Sequence, residues 1–203
     1  MKLRMTLVLL VLALLPAGYV IGQAIFWPFE ATEEGYGPPD MSAATFNCPG
    51  GQPDPTWSTG SPCTPGSRVH IRGAKFPYFV TATDARITGV AYVTMNGNFD
   101  GWIPQLMSPG SGQMWGALQL VVGVKNQDGT FTATGGVWEG SWTGTRTVTR
   151  TNDGKYVVQS SISNVAFGTV GRITGLKAMW DTTLDPQSGL GVDRGRILDP
   201  GGK

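Results

Sequence analysis

In the stretch "GGVWEGSWTGTRTVTR", Trp138, Trp142 and Arg146 recur at every fourth position, and a further tryptophan, Trp180, stands in "GLKAMWDTT". In a β-strand this spacing puts all three residues of the first set on one face. Aromatic walls with one guanidinium suit a pocket that takes the apolar body of a small molecule and holds its acidic end. Trp138, Trp142, Arg146 and Trp180 are therefore the candidate ligand-binding residues. A charge turned into a barrel has to be paired, solvated at the mouth or used on a ligand. The plainer alternative is that the strand has left the barrel by Arg146 and the side chain snorkels into water.

Residues for catalysis are scarce. A Ser-His-Asp or Cys-His system needs a base, and the one histidine, His70, sits in "SRVHIRGAKF" between two arginines. Glu139 and Asp181 are a conceivable glycosidase pair, but each alternates with a neighbouring tryptophan and so points outward. Asp100, Asp128 and Asp153 adjoin glycines, as turn residues do. Phosphate-loop, nucleophile-elbow and zinc-protease motifs are missing, and "NQDG" offers too few oxygens for calcium. No catalytic residue, metal set or cofactor is assigned. Trp102 and Trp115 flank "GWIPQLMSPGSGQMWG", which reads as a plug over one barrel end or as a lid. Trp57, Trp102 or Trp115 would stack on sugars only if coplanar on one outer surface.

The elements that must position these residues are strands. "DARITGVAYVTMNGNFD" and "GALQLVVGV" alternate with period two, and "NQDG" and "TNDG" supply hairpin turns. "KYVVQSSISNVAFG" and "GLKAMWDTT" add further strands, and no run after the N-terminal segment reads as a helix. Gly89, Gly140 and Gly144 lie inside strands, where they let a sheet coil tightly. The expectation is an all-β fold, a small antiparallel up-and-down barrel of about eight strands.

Residues 1–29 form the pattern of a signal peptide: Lys2 and Arg4, an apolar run from Leu7 to Leu15, and small residues at Gly22 and Ala24. The uncharged run from Thr6 to Phe29 is also long enough for a helical membrane anchor. Either way the remainder is expected outside the cytoplasm, secreted, periplasmic or at the cell surface, touching a membrane only through an uncleaved N-terminus. Residues 30–66 read as an irregular Pro/Gly-rich arm, and 67–203 as the barrel with a C-terminal tail. Cys48 and Cys63, in "NCPGGQPDPTWSTGSPC", are expected to form a disulfide worth about 3 kcal/mol. The net charge is +1, or −1 without Lys2 and Arg4. That balance excludes the electrostatic footprint of a nucleic-acid binder.

The combination of "GGVWEGSWTGTRT", "DGKY", "ISNVAFGTVGRITGLKAMWD" and "GRILDPGG" resembles small exported bacterial proteins whose barrel is of the allene oxide cyclase and dirigent type, within the wider calycin-like shape. The resemblance covers roughly residues 68–200 and implies a barrel that takes apolar or phenolic molecules inside. It carries no catalytic positions over to this chain. Three functions follow as expectations. The first is a non-catalytic barrel binding a small apolar or amphiphilic molecule, which requires a cavity. The second is an extracellular surface or assembly protein with its barrel filled by tryptophan. The third is a cyclase- or isomerase-like enzyme, which requires a polar group against the ligand. The sequence leaves the oligomeric state open.

Overall fold

The computed structural model describes residues 24–184 and 190–201. Its strands are β1 (Ile25–Gly35), β2 (Thr45–Asn47), β3 (Val69–Ala82), β4 (Gly89–Phe99), β5 (Trp102–Ile103), β6 (Ser108–Pro109), β7 (Gly112–Lys125), β8 (Phe131–Arg150), β9 (Tyr156–Gly171), β10 (Lys177–Leu184) and β11 (Gly191–Asp199). Among the described residues the only helical element is one 3-10 turn at Pro104–Leu106.

Eight strands close a ring in the order β1-β11-β10-β9-β8-β7-β4-β3, and β1 completes it by pairing with β3. Every pairing is antiparallel and every neighbour follows in sequence, as an up-and-down barrel requires. The turns form where glycine supplies a positive φ. At "NQDG" Asn126 N–H donates to Thr130 C=O and Gly129 sits at φ +83°; at "TNDG" Thr151 N–H donates to Lys155 C=O and Gly154 sits at φ +83°.

Two boundaries differ from the sequence reading. Residues 25–29, expected in the N-terminal segment, and 30–35, expected in the arm, form β1. Phe29 and Ala31 are buried and alternate with exposed Pro28, Glu30 and Thr32, and without this strand β3 and β11 would both be open edges. Pro28 is tolerated because of its position. Glu30 N–H reaches Thr83 on the β3 side, and Pro28, of the same parity, points its missing N–H to that side before β3 has begun to pair. The expected signal or anchor helix otherwise lies outside the described residues. The second difference is at "DARIT". Asp84 accepts from Arg86 N–H and Ile87 N–H donates to Asp84 C=O, making a turn, so β4 starts only at Gly89.

Strand crowding explains the glycines. A Cβ at Gly140 would collide with the carbonyl oxygen of Val165, and one at Gly116 with that of Thr94. Side chains larger than hydrogen at these inward positions would push neighbouring strands apart and open the coil.

The arm runs over the outside and the upper end of the barrel. Tyr36 N–H donates to Pro77 C=O, Asp40 and Lys75 exchange both backbone bonds, and β2 pairs with the start of β3. Beneath the arm Phe79, Tyr36 and Phe131 pack edge to edge on the barrel's outer face. Cys48 and Cys63 are joined and buried. Replacing both by serine is expected to lower stability by about 2–3 kcal/mol, read as a fall in the urea midpoint at unchanged slope. An unchanged midpoint would show that the arm adds nothing to the barrel's stability.

Candidate functional site

Alternation on β8 turns Gly136, Trp138, Gly140, Trp142, Gly144 and Arg146 inward and leaves Glu139, Ser141, Thr143 and Thr145 exposed. The inward face is not uniform. Trp138 is fully buried at the lower end, and its indole N–H donates to Arg86 C=O at 2.6 Å. Trp180, on β10, packs edge-on against Phe29 with ring centroids 6.3 Å apart. These two tryptophans pack in the lower half, and neither lines the cavity above it.

The upper half is hollow. A cavity of about 540 Å³ is walled by Ile71, Phe76, Val93, Met95, Met114 and Ile162, together with Trp142 and Arg146. So of the four predicted ligand residues the structure brings Trp142 and Arg146 to one space, and places Trp138 and Trp180 in the packed core below it. Four methionines, Met41, Met95, Met107 and Met114, line the cavity. Flexible thioethers of this kind let a wall adapt to its occupant.

The mouth is covered by the arm and by the loop carrying β5 and β6. Trp102 stacks edge-on against Trp57, centroids 5.1 Å apart at 90°, and its N–H donates to Gly60 C=O at 2.9 Å. Trp57 in turn meets Phe46 edge-on. Trp115 points to the outside of β7 under the guanidinium of Arg72. The tryptophans are therefore not coplanar on one surface, and a sugar-stacking platform is not formed. Trp57 and Met107 hold left-handed backbone at φ +54° and +47°, the only described non-glycine residues that do so, and both line the mouth. Such geometry costs about 1–2 kcal/mol per residue and concentrates at sites where a cover is held in place.

Arg146 sits beneath this cover. Its Nη2 donates to Ser108 Oγ at 2.7 Å and its Nε to Pro109 C=O at 3.2 Å. Among the described residues no carboxylate lies within ion-pair distance of it. Burial pulls its pKa down, and the Tyr78 hydroxyl partly offsets this. Trp142 N–H, buried over Gly116, has no acceptor among the described residues.

Across the cavity is a feature that the sequence reading missed. On β1 and β11 the inward parity falls on Glu33 and Asp193. Asp193 is 1% exposed. Asn164 Nδ2 donates to Thr182 Oγ1 at 3.0 Å, and Thr182 Oγ1 donates to Asp193 Oδ1 at 2.6 Å. Asp193 Oδ2 is buried with no hydrogen-bond partner among the described residues, and Glu33 stands opposite Gly191, two residues from Asp193 along the same face of β11. Burial, then the Asp193 charge, holds the Glu33 pKa well above the ordinary carboxylate range, and burial pushes Asp193 up to about 6. Tyr78, on β3, is pushed up to about 12 by burial and by Glu33, with Arg146 acting the other way. Tyr78, Glu33 and Arg146 line the same cavity.

The missed signal was parity. Glu33 continues the Phe29, Ala31 alternation, and Asp193 shares the phase of Ile197. Reading residues 30–35 as arm hid the first. The residues weighed as catalytic candidates lie elsewhere: Glu139 and Asp181 are exposed, and His70 is on the outward phase between buried Val69 and Ile71.

Comparison with protein-family models, curated proteins and solved structures finds no match. The site's chemistry therefore rests on its own geometry. It combines an apolar, adaptable wall, a guanidinium with only neutral partners, a phenol, and two carboxyls at neighbouring inward positions. Among the described residues no three His, Cys, Asp or Glu side chains gather to hold a metal ion.

Proposed function

We propose that this is an exported β-barrel that binds a small amphiphilic molecule in its upper cavity, the apolar body against Trp142 and the methionines and an anionic end on Arg146. One observation carries the reading: a half-buried guanidinium with two neutral oxygen partners faces a hollow, mostly apolar space. A desolvated cation in such a place gains far more from an anionic ligand than from the two neutral acceptors it now holds. The hollow upper half weighs against an assembly protein with a filled barrel. Export is supported by the formed disulfide and by the signal-like pattern read in residues 1–29, the last five of which belong to β1.

A second reading draws on the acid pair. A cyclase- or isomerase-like reaction needs a proton donor and acceptor against its ligand, and Glu33 lines the cavity. It is the weaker reading because Asp193 lies behind Glu33 and does not face the space.

The test uses two naphthalene probes that differ in charge, anionic 8-anilinonaphthalene-1-sulfonate and neutral N-phenyl-1-naphthylamine, followed by energy transfer from tryptophan in residues 25–203. Both are expected to bind saturably in wild type. Arg146→Gln is expected to weaken the sulfonate by 10- to 100-fold, the value of a charge-assisted bond, while the neutral probe stays within about twofold. Trp142→Ala is expected to weaken both. Absence of saturable transfer with either probe would remove the binding reading.

A further inference from the structure

Two polar centres share the cavity, and the second has no role in holding the barrel together that an apolar pair would not fill better. Glu33, opposite Gly191 on β11, and Asp193, two residues along, occupy neighbouring inward positions in a closed ring of strands. Among the described residues Thr182 is the donor to Asp193 Oδ1, and Asp193 Oδ2 is buried with no partner. The charged and titratable groups that face it are few. Tyr78 comes from β3 and Arg146 from β8, across the cavity; β10 and β9 contribute only neutral Thr182 and Asn164. Glu34, next along β1, also borders the cavity, and its carboxylate pairs with Lys125. Among the described residues Arg146 is the one cation that lines the cavity Glu33 borders.

Resting on the reading of this cavity as an anion-binding site, we propose that the Glu33–Asp193 pair couples ligand capture to a proton, so that the barrel takes up anionic amphiphiles under acidic conditions and releases them as the pH rises. An anion on Arg146 cancels the field that favours the ionised pair and adds a negative charge to the same low-dielectric space. The pair responds by taking up a proton. Conversely, an ionised pair repels the anion. For unit charges roughly 10 Å apart at an effective dielectric near 20, Coulomb's law makes this about a tenfold change in affinity. By reciprocity the ligand shifts the pair's proton occupancy by the same factor. A neutral ligand of the same shape makes no such demand. The ligand class that the coupling selects is an apolar molecule with one acidic group.

The experiment measures affinity of the same two probes for the full chain at pH 5.5 and pH 8. The sulfonate stays ionised throughout this range, so any pH dependence belongs to the protein. Its affinity is expected to fall about tenfold between the two pH values, and that of N-phenyl-1-naphthylamine to stay constant. Glu33→Gln/Asp193→Asn, neutral at both pH values, is expected to bind the sulfonate tightly and equally at both. Calorimetry of the wild type at pH 6.5 in two buffers of different ionisation enthalpy gives the proton count without any variant. About half a proton taken up per sulfonate is expected from a tenfold coupling. Zero uptake, or an equal fall in affinity for the neutral probe, would overturn the coupling while leaving the binding reading intact. Failure of the sulfonate to bind at any pH would overturn the binding reading first.

Discussion

Replacing Trp138 by alanine is expected to cost about 3–5 kcal/mol, whereas the same change at Trp142, four residues along the same strand face, is expected to cost about 1–2 kcal/mol. Trp138 is fully buried, so its removal leaves a void that the surrounding barrel cannot close, and it strands the Arg86 carbonyl that the indole N–H satisfies. Trp142 already borders about 540 Å³ of open space. Its removal enlarges a cavity rather than creating one, and it eliminates a buried N–H that has no acceptor. Urea unfolding of the two variants separates the roles. A large loss for Trp138→Ala with ligand-probe binding retained at low denaturant, and a small loss for Trp142→Ala with binding weakened, is the expected pattern. Equal losses would mean that the upper half is packed as tightly as the lower, and that the hollow is not a site.

That contrast marks the limit of what alternation reveals. Period two turned Trp138, Trp142 and Arg146 to one side of β8, and the structure keeps them there. It could not say how far along the barrel axis the packing stops, because a side chain in the core and one on a cavity wall have the same parity. The difference is set by partners from elsewhere in the chain: the Arg86 carbonyl closes on Trp138 below, while Trp142 above borders open space. The closed ring itself was legible because hairpin turns and in-strand glycines are local features. The eighth strand was not. "FWPFEATEEG" opens with aromatics that continue the apolar run before it and ends in acids that resemble the flank of a signal. Its strand character comes from two edges, β3 and β11, which the rest of the chain leaves waiting. Losing β1 to the arm also lost Glu33, and with it the acid pair.

The pair carries a thermodynamic signature that does not depend on any ligand. In the unfolded chain Asp193 and Glu33 ionise near pH 4. In the barrel burial pushes the Asp193 pKa up to about 6, and burial with the Asp193 charge holds that of Glu33 well above the ordinary carboxylate range. Across this window the folded protein binds more protons than the unfolded chain, so its stability must fall as the pH rises. The contribution is fully present below about pH 4 and is lost as the pH climbs through the folded values. For Asp193 alone the two limits differ by about 3 kcal/mol, and Glu33 adds in the same direction. The exposed turn carboxylates Asp40, Asp54, Asp128 and Asp153 have their pKa values lowered by neighbouring hydroxyl and N–H donors; their opposite effect falls below pH 4. The urea midpoint of wild type is therefore expected to be higher at pH 5 than at pH 8, and Glu33→Gln/Asp193→Asn is expected to remove most of the difference. A wild-type midpoint that is flat between these values would mean that the two carboxyls ionise freely in the folded barrel. In that case the cavity's acid wall would be solvated and would have no hold on a proton. A steep fall that the double variant abolishes would instead locate in two side chains a cost in stability that a purely structural barrel has no reason to keep.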